Sequence, residues 1–114
     1  MYIEVNNTKY KARFGYGAIR RICKEYGYDK PSAIDKVIKK LKLDKMGEDP
    51  SFEQLDFIGY LVISGVKNVD DSVDFSSDDV MDSIIQGKVD VMEIMKSFSD
   101  SLPKNNVNPK KGGN

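Results

Sequence analysis

Across Gly15-Tyr16-Gly17 the hydrophobic period of this chain changes from two residues to about 3.6, and that switch constrains the fold more than any other feature. Before it, residues 2–14 read YIEVNNTKYKARF. Ile3 and Val5 point one way; after Asn6-Asn7-Thr8-Lys9, the residues Tyr10, Ala12 and Phe14 share a face that Lys11 and Arg13 avoid. Alternation around an Asn-rich turn predicts a β-hairpin. Two strands alone are marginal in water, so the hairpin must lie on helices or pair with another chain. Beyond the glycines, Ile19, Ile22, Cys23 and Tyr26 fall on one helical face, with Arg20, Arg21, Lys24 and Glu25 outside it and Gly27 as a stop.

The glycine pair itself raises a chemical question. Gly15-x-Gly17-x-x-Arg20 lacks the third glycine of a dinucleotide loop. It also follows a hairpin, and no later strand pattern supplies a parallel partner. Gly15 and Gly17 are therefore read as a hinge between strand and helix, permitting backbone angles that other residues resist and turning Tyr16 toward the core.

The rest of the chain reads as helices. Ser32 with Asp35 forms an imperfect capping box ahead of Ile34, Val37, Ile38 and Leu41. Ser51 with Gln54 is a full one, opening a helix through about Ser64. There Phe52, Leu55, Phe57, Ile58, Leu61, Val62 and Ile63 cover most of the circumference, as in a helix that is central or awaits a partner. Gly59 in its middle calls for a close helix crossing, because glycine there costs about 1 kcal/mol relative to alanine. Ser76 with Asp79 caps a short helix of Val80, Met81, Ile84 and Ile85 that stops at Gly87, and Phe75 is placed to staple on Val80. Asp90 and Glu93 open the last helix, with Val89 set to staple on Ile94 and a stripe of Val91, Ile94, Met95, Phe98 and Leu102 ended by Pro103. The expected fold is α+β, mostly α: an N-terminal β-hairpin followed by about five helices. It forms one domain over residues 1–103, with a disordered tail over 104–114 that has almost nothing to bury.

Composition narrows the chemistry. The chain has no histidine and a single cysteine, Cys23, which removes the commonest general base, the usual zinc ligand sets and Ser-His or Cys-His nucleophiles. No catalytic, cofactor or metal residue is assigned, and an enzyme is not expected. Asp70-Asp71-Ser72-Val73-Asp74 imitates the start of a calcium loop. The frame then puts Phe75 where the turn needs glycine and Met81 where a bidentate glutamate belongs. The run Phe57 to Val66 is about half of what a bilayer span needs, and the opening residues carry no basic-then-apolar leader pattern. With one cysteine, a soluble cytosolic protein is the expectation.

Net charge is zero, yet the charges are segregated. Residues 1–46 hold 12 Lys/Arg against 5 Asp/Glu, while residues 47–103 hold 3 against 13. The halves are expected to attract one another, within the fold or in a homo-oligomer. A basic strip of Lys9, Lys11, Arg13, Arg20, Arg21 and Lys24 interleaved with Tyr10 and Tyr16 offers the alternative, stacking on single-stranded nucleic acid. The absence of a net basic excess counts against phosphate binding. Met81, Met92 and Met95 near Phe98 form an adaptable apolar set, read either as core or as a binding groove.

The order of these features resembles the small tail assembly chaperones of long-tailed bacteriophages and prophages. A hairpin with a tyrosine runs into KARFGYGAIRRI, followed by helices including LDFIGYLVISGV and the acidic segment SSDDVMDSI. The likeness spans roughly residues 2–100 and is one of layout and short patterns. It implies a non-enzymatic protein of the host bacterial cytoplasm, absent from the mature virion. Such a protein binds and solubilises the tape measure protein and assists the tail tube protein in assembling around it. No cofactor and no membrane partner are implied. The resemblance supplies no residue-level site, so partner-facing candidates are taken from the apolar surplus: Phe57, Leu61, Met92, Met95 and Phe98. The alternative function is a small nucleic-acid-binding regulatory protein using the basic N-terminal half.

Overall fold

The computed structural model describes residues 1–102. Pro103 and the tail over 104–114 lie outside the described residues. An antiparallel hairpin, β1 (Tyr2–Val5) and β2 (Thr8–Lys11), leads into five helices: α1 (Tyr16–Glu25), α2 (Ile34–Lys40), α3 (Phe52–Lys67), α4 (Ser77–Ile85) and α5 (Val91–Ser101). The class is α+β, mostly α, as the periodicity predicts.

The hairpin turn is tighter than its four polar residues suggest. Val5 already pairs with Thr8 and Glu4 with Lys9, so only Asn6 and Asn7 turn the chain. Both have positive φ, 53° and 64°, which a two-residue primed turn requires and asparagine tolerates. Ile3 sits opposite Tyr10, and Ile3, Val5 and Ala12 are buried on the face laid against the helices.

At the strand-to-helix junction the expected role of the glycines is corrected. Gly15 has φ −171°, ordinary extended backbone, and nothing lies within 4 Å of where a Cβ would stand. Tyr16 points outward and is 68% exposed rather than turned to the core. Gly17 is required for a different reason: a Cβ there would collide with the side-chain amide of Asn68, whose Cγ lies 2.9 Å from that position. Asn68 Nδ2 donates to Arg13 O (3.0 Å), and Arg13 N donates to Gly65 O (3.0 Å). The junction is thus clamped to the end of α3, with the Phe14 ring lying on Gly65.

α3 is the central helix. Phe57, Ile58, Leu61, Val62 and Val66 are all buried on it, and α1, α4 and α5 pack around it. It runs to Lys67, three residues beyond the expected end. The crossing anticipated at Gly59 is made by the first turn of α4: a Cβ on Gly59 would meet Ser77 and lie 3.3 Å from Met81 Cε.

Caps follow the predicted pattern with two exceptions. Ser51 with Gln54 and Ser76 with Asp79 form reciprocal boxes. Gly87 ends α4 at φ +75°. At α2 the expected Ser32–Asp35 box does not form. Pro31 starts a 3-10 turn, so Ser32 lies inside that turn, and α2 begins at Ile34 behind an Ala33 of helical backbone. At α5, Asp90 accepts from Glu93 N (3.2 Å), and no reciprocal bond from the Glu93 side chain closes a box. Gln54 has a second task. Its Nε2 donates to Leu41 O (3.0 Å) and Lys42 O (3.2 Å), satisfying carbonyls left open where α2 ends.

Candidate functional site

The sequence-derived partner residues separate into two groups. Phe57 and Leu61 are fully buried and Phe98 is 2% exposed. Phe57 and Phe98 meet edge to face with ring centroids 5.6 Å apart. These three are core: Phe57 and Leu61 on α3 are covered by the helices packed around it, Phe98 on α5 packs against Phe57, and as partner-facing residues they are corrected. Met95 is half-buried against the same core. Met92, one position into α5, is 75% exposed.

Met92 belongs to an open apolar groove. Its lining is Leu55 from the start of α3, Ile84 from the end of α4, Val91 and Met92 from α5, and Met46 and Pro50 from the loop before α3, together with Gly47 and Glu48. The groove encloses about 710 Å³. Phe52, one turn before Leu55, is 87% exposed, and Ile85, next to Ile84, is 82% exposed. Local capping positions these side chains. The Ser51–Gln54 box holds the first turn of α3, and Gly87 with the Asp90 cap sets how α5 departs from α4. Phe52, Ile85, Leu55, Ile84 and Val91 were not among the predicted partner residues. A signal for Ile85 existed: successive helical residues diverge by about 100°, so Ile84 and Ile85 cannot both face α3.

The basic strip also divides. Lys9, Lys11, Arg13, Arg20 and Lys24 are exposed, but the Tyr10 ring packs inward on Phe75 (centroids 5.1 Å, interplanar 51°), which removes it as a stacking platform. Tyr16 remains outward, beside a shallow cleft lined by Arg20, Cys23, Lys24, Tyr28 and Lys30. Burial pushes the Cys23 thiol up from its ordinary value, which disfavours the thiolate. Tyr26 is raised as well, first by burial and then by Tyr60 and nearby carboxylates, and its hydroxyl has no hydrogen-bond partner among the described residues.

The segregated charges do not pair across the fold in the expected way. Among the described residues one ion pair forms, Lys88 Nζ to Glu4 Oε2 at 3.4 Å, and it joins the minority charge of each half. Lys88 also donates to Asn7 Oδ1 (2.7 Å), tying the α4–α5 link to the hairpin turn. In the acidic run, Asp70 Oδ1 accepts from Ser72 N (3.1 Å) and Ser72 Oγ (2.6 Å) in a local turn that holds its pKa down. No group of three or more metal-ligating side chains is found among the described residues, and no helix among them is long and apolar enough to cross a membrane.

No protein-family model, curated protein or solved structure matches this chain.

Proposed function

We propose that this protein is a non-enzymatic tail assembly chaperone of a long-tailed phage. In this reading it acts in the host bacterial cytoplasm and is absent from the mature virion. It holds apolar helical segments of the tape measure protein in solution and releases them as tail tube subunits assemble. The observation that carries the reading is the open groove at Leu55, Ile84, Val91 and Met92, with Phe52 and Ile85, close in sequence to lining residues, also exposed. Apolar side chains in this number on a chain of low hydrophobic content (39%) belong to a surface that meets a partner.

The energetics suit a transient holder. Burying Phe52, Ile85 and Met92 would each contribute about 1.5–3 kcal/mol, or roughly 5–9 kcal/mol together. Association itself costs about 4–15 kcal/mol in lost translational and rotational freedom. A single groove therefore binds weakly and reversibly, and strong holding requires several copies along one long partner. The test is co-expression with the longest neighbouring open reading frame. A soluble partner that co-purifies with this chain, and loses solubility when Met92 and Ile85 are both changed to Asp, supports the reading. A partner that stays insoluble regardless, and never co-purifies, sinks it.

The exposed Tyr16 beside Arg20, Lys24 and Lys30 favours one second reading, a small nucleic-acid-binding regulator. Retention on single-stranded DNA that falls steeply with salt and is lost in Tyr16→Ala would favour it over the chaperone.

A further inference from the structure

We infer that the segment seated in the apolar groove is an amphipathic helix whose stripe is bordered by lysine or arginine. The inference rests on the reading of this groove as a docking surface and adds the chemistry of its occupant. The charge around the groove carries it. Residues 47–57 contain Glu48, Asp49, Glu53 and Asp56 and no cation. On the opposite wall, residues 82–93 contain Asp82, Asp90 and Glu93. The one lysine there, Lys88, is engaged by Glu4 and Asn7. None of these seven carboxylates is in an ion pair among the described residues. Glu48 itself lines the groove and Asp49 and Asp56 adjoin its lining residues in sequence, whereas Asp90 and Glu93 line a separate cleft with Met1 and Lys88. Lys45, beside Met46, is the one cation next to a lining residue in sequence, against the carboxylates of Asp49 and Asp56. A partner with anionic flanks meets like charge at Glu48 and the carboxylates beside it, whereas cationic flanks find complementary charge that is in no ion pair among the described residues.

The lining chooses helix over strand. The apolar walls come from α3, α4, α5 and the loop before α3, and neither strand of the hairpin borders the groove. With no strand edge to pair with, a seated segment must satisfy its own backbone N–H and C=O groups, and a helix does so. Met46 and Met92 sit on opposite sides of the sequence that forms the groove, and their unbranched thioethers accommodate varied apolar stripes. A partner offering many related helical segments is therefore recognised by pattern rather than by one sequence.

Two synthetic amphipathic helices test this. They share one Leu/Ile stripe, flanked by lysine in one and by glutamate in the other, and each is titrated into the full-length protein by calorimetry and by backbone amide NMR. The lysine-flanked peptide should bind at least about tenfold more tightly at low salt, with the advantage shrinking as salt screens the rim. Shifts should centre on Leu55, Ile84, Val91 and Met92. Met92→Ser should weaken it about tenfold, and a Glu48→Gln/Asp49→Asn double variant should reduce the preference while leaving the amide spectrum elsewhere unchanged. Equal binding of the two peptides, absence of binding by either, or shifts centred on the Tyr16 cleft would each overturn the inference. So would a concentration-dependent dimer that Met92→Ser abolishes and neither peptide displaces, which would assign the groove to a second copy. The two proposals fail separately. Lysine-flanked peptide bound in the groove with no rescue of the tape measure protein removes the chaperone reading alone. Rescue that is indifferent to Met92→Ser and to the rim variants removes the groove inference alone.

Discussion

Replacing Gly65 by alanine puts two opposite effects on one atom, and the structure decides their balance. Gly65 lies in the last turn of α3, where alanine is favoured over glycine by up to about 1 kcal/mol, so propensity alone predicts a more stable protein. The added Cβ, however, would stand against the Phe14 ring, overlapping Cε1 and lying 2.9 Å from Cδ1 and 3.0 Å from Cζ. The ring has little freedom to retreat. The residue before it donates its amide to Gly65 O (3.0 Å) and accepts from Asn68 Nδ2 (3.0 Å), so displacing Phe14 stretches both bonds. Overpacking of this kind costs about 1–3 kcal/mol, and each weakened hydrogen bond adds about 1 kcal/mol. The net expectation is a loss of about 2 kcal/mol, read as a fall in Tm of roughly 10 °C by circular dichroism and as a lower urea midpoint. Phe14→Leu removes the colliding edge, so in that background Gly65→Ala should turn neutral or stabilising, a coupling of about 2 kcal/mol in a double-mutant cycle. A Tm that rises with Gly65→Ala in the native background, or a cycle that is additive within about 0.5 kcal/mol, would refute the clamp at this junction.

Three further outcomes are expected. Gln54→Ala removes half of a capping box and both bonds to the end of α2, and should destabilise by about 2 kcal/mol where Ser51→Ala loses about 1 kcal/mol; equal urea midpoints for the two would show that the bridge to α2 contributes nothing. Phe98→Ala should lose about 3–5 kcal/mol as a cavity opens beside Phe57, and Met92→Ser should stay within about 0.5 kcal/mol of the native protein; similar losses for both would contradict their assignment to core and groove. The amide of Ser76 donates to Asp79 (2.9 Å) and holds its carboxyl below the ordinary value of 3.8. A depressed carboxyl contributes stability that is complete above its unfolded value and lost as pH falls through the folded one, so Tm should decline below about pH 4. Asp79→Asn should flatten that decline, and an unaltered acid limb would count against the cap as its source.

What was legible in the chain depended on how local each signal is. Two reciprocal caps, Ser51 with Gln54 and Ser76 with Asp79, and the stop at Gly87 involve residues a turn apart, and they place α3 and α4 directly. Ser32 failed for an equally local reason, the proline just before it. The site is a long-range property and read less well. α3 is apolar on nearly every side, so its own pattern cannot distinguish Phe57 and Leu61, which are buried, from Phe52, which is exposed, and Leu55, which lines the groove. The same holds for the glycines of the junction. Their spacing marks a strand that becomes a helix, but the reason for Gly17 is Asn68 at the far end of α3, a partner that neither spacing nor propensity identifies. Charge segregation shows the limit most sharply. Opposite halves suggested mutual neutralisation, yet among the described residues the one ion pair is Lys88 with Glu4, and neither Glu48 in the groove nor the cations around Tyr16 take part in it. Charge that a fold does not neutralise is available to a partner, and here Glu48 sits in the apolar groove that the fold also leaves uncovered. That coincidence of an unpaired Glu48 and an unburied Met92 on one groove, rather than either feature alone, is why the occupant is expected to bring both an apolar stripe and cations.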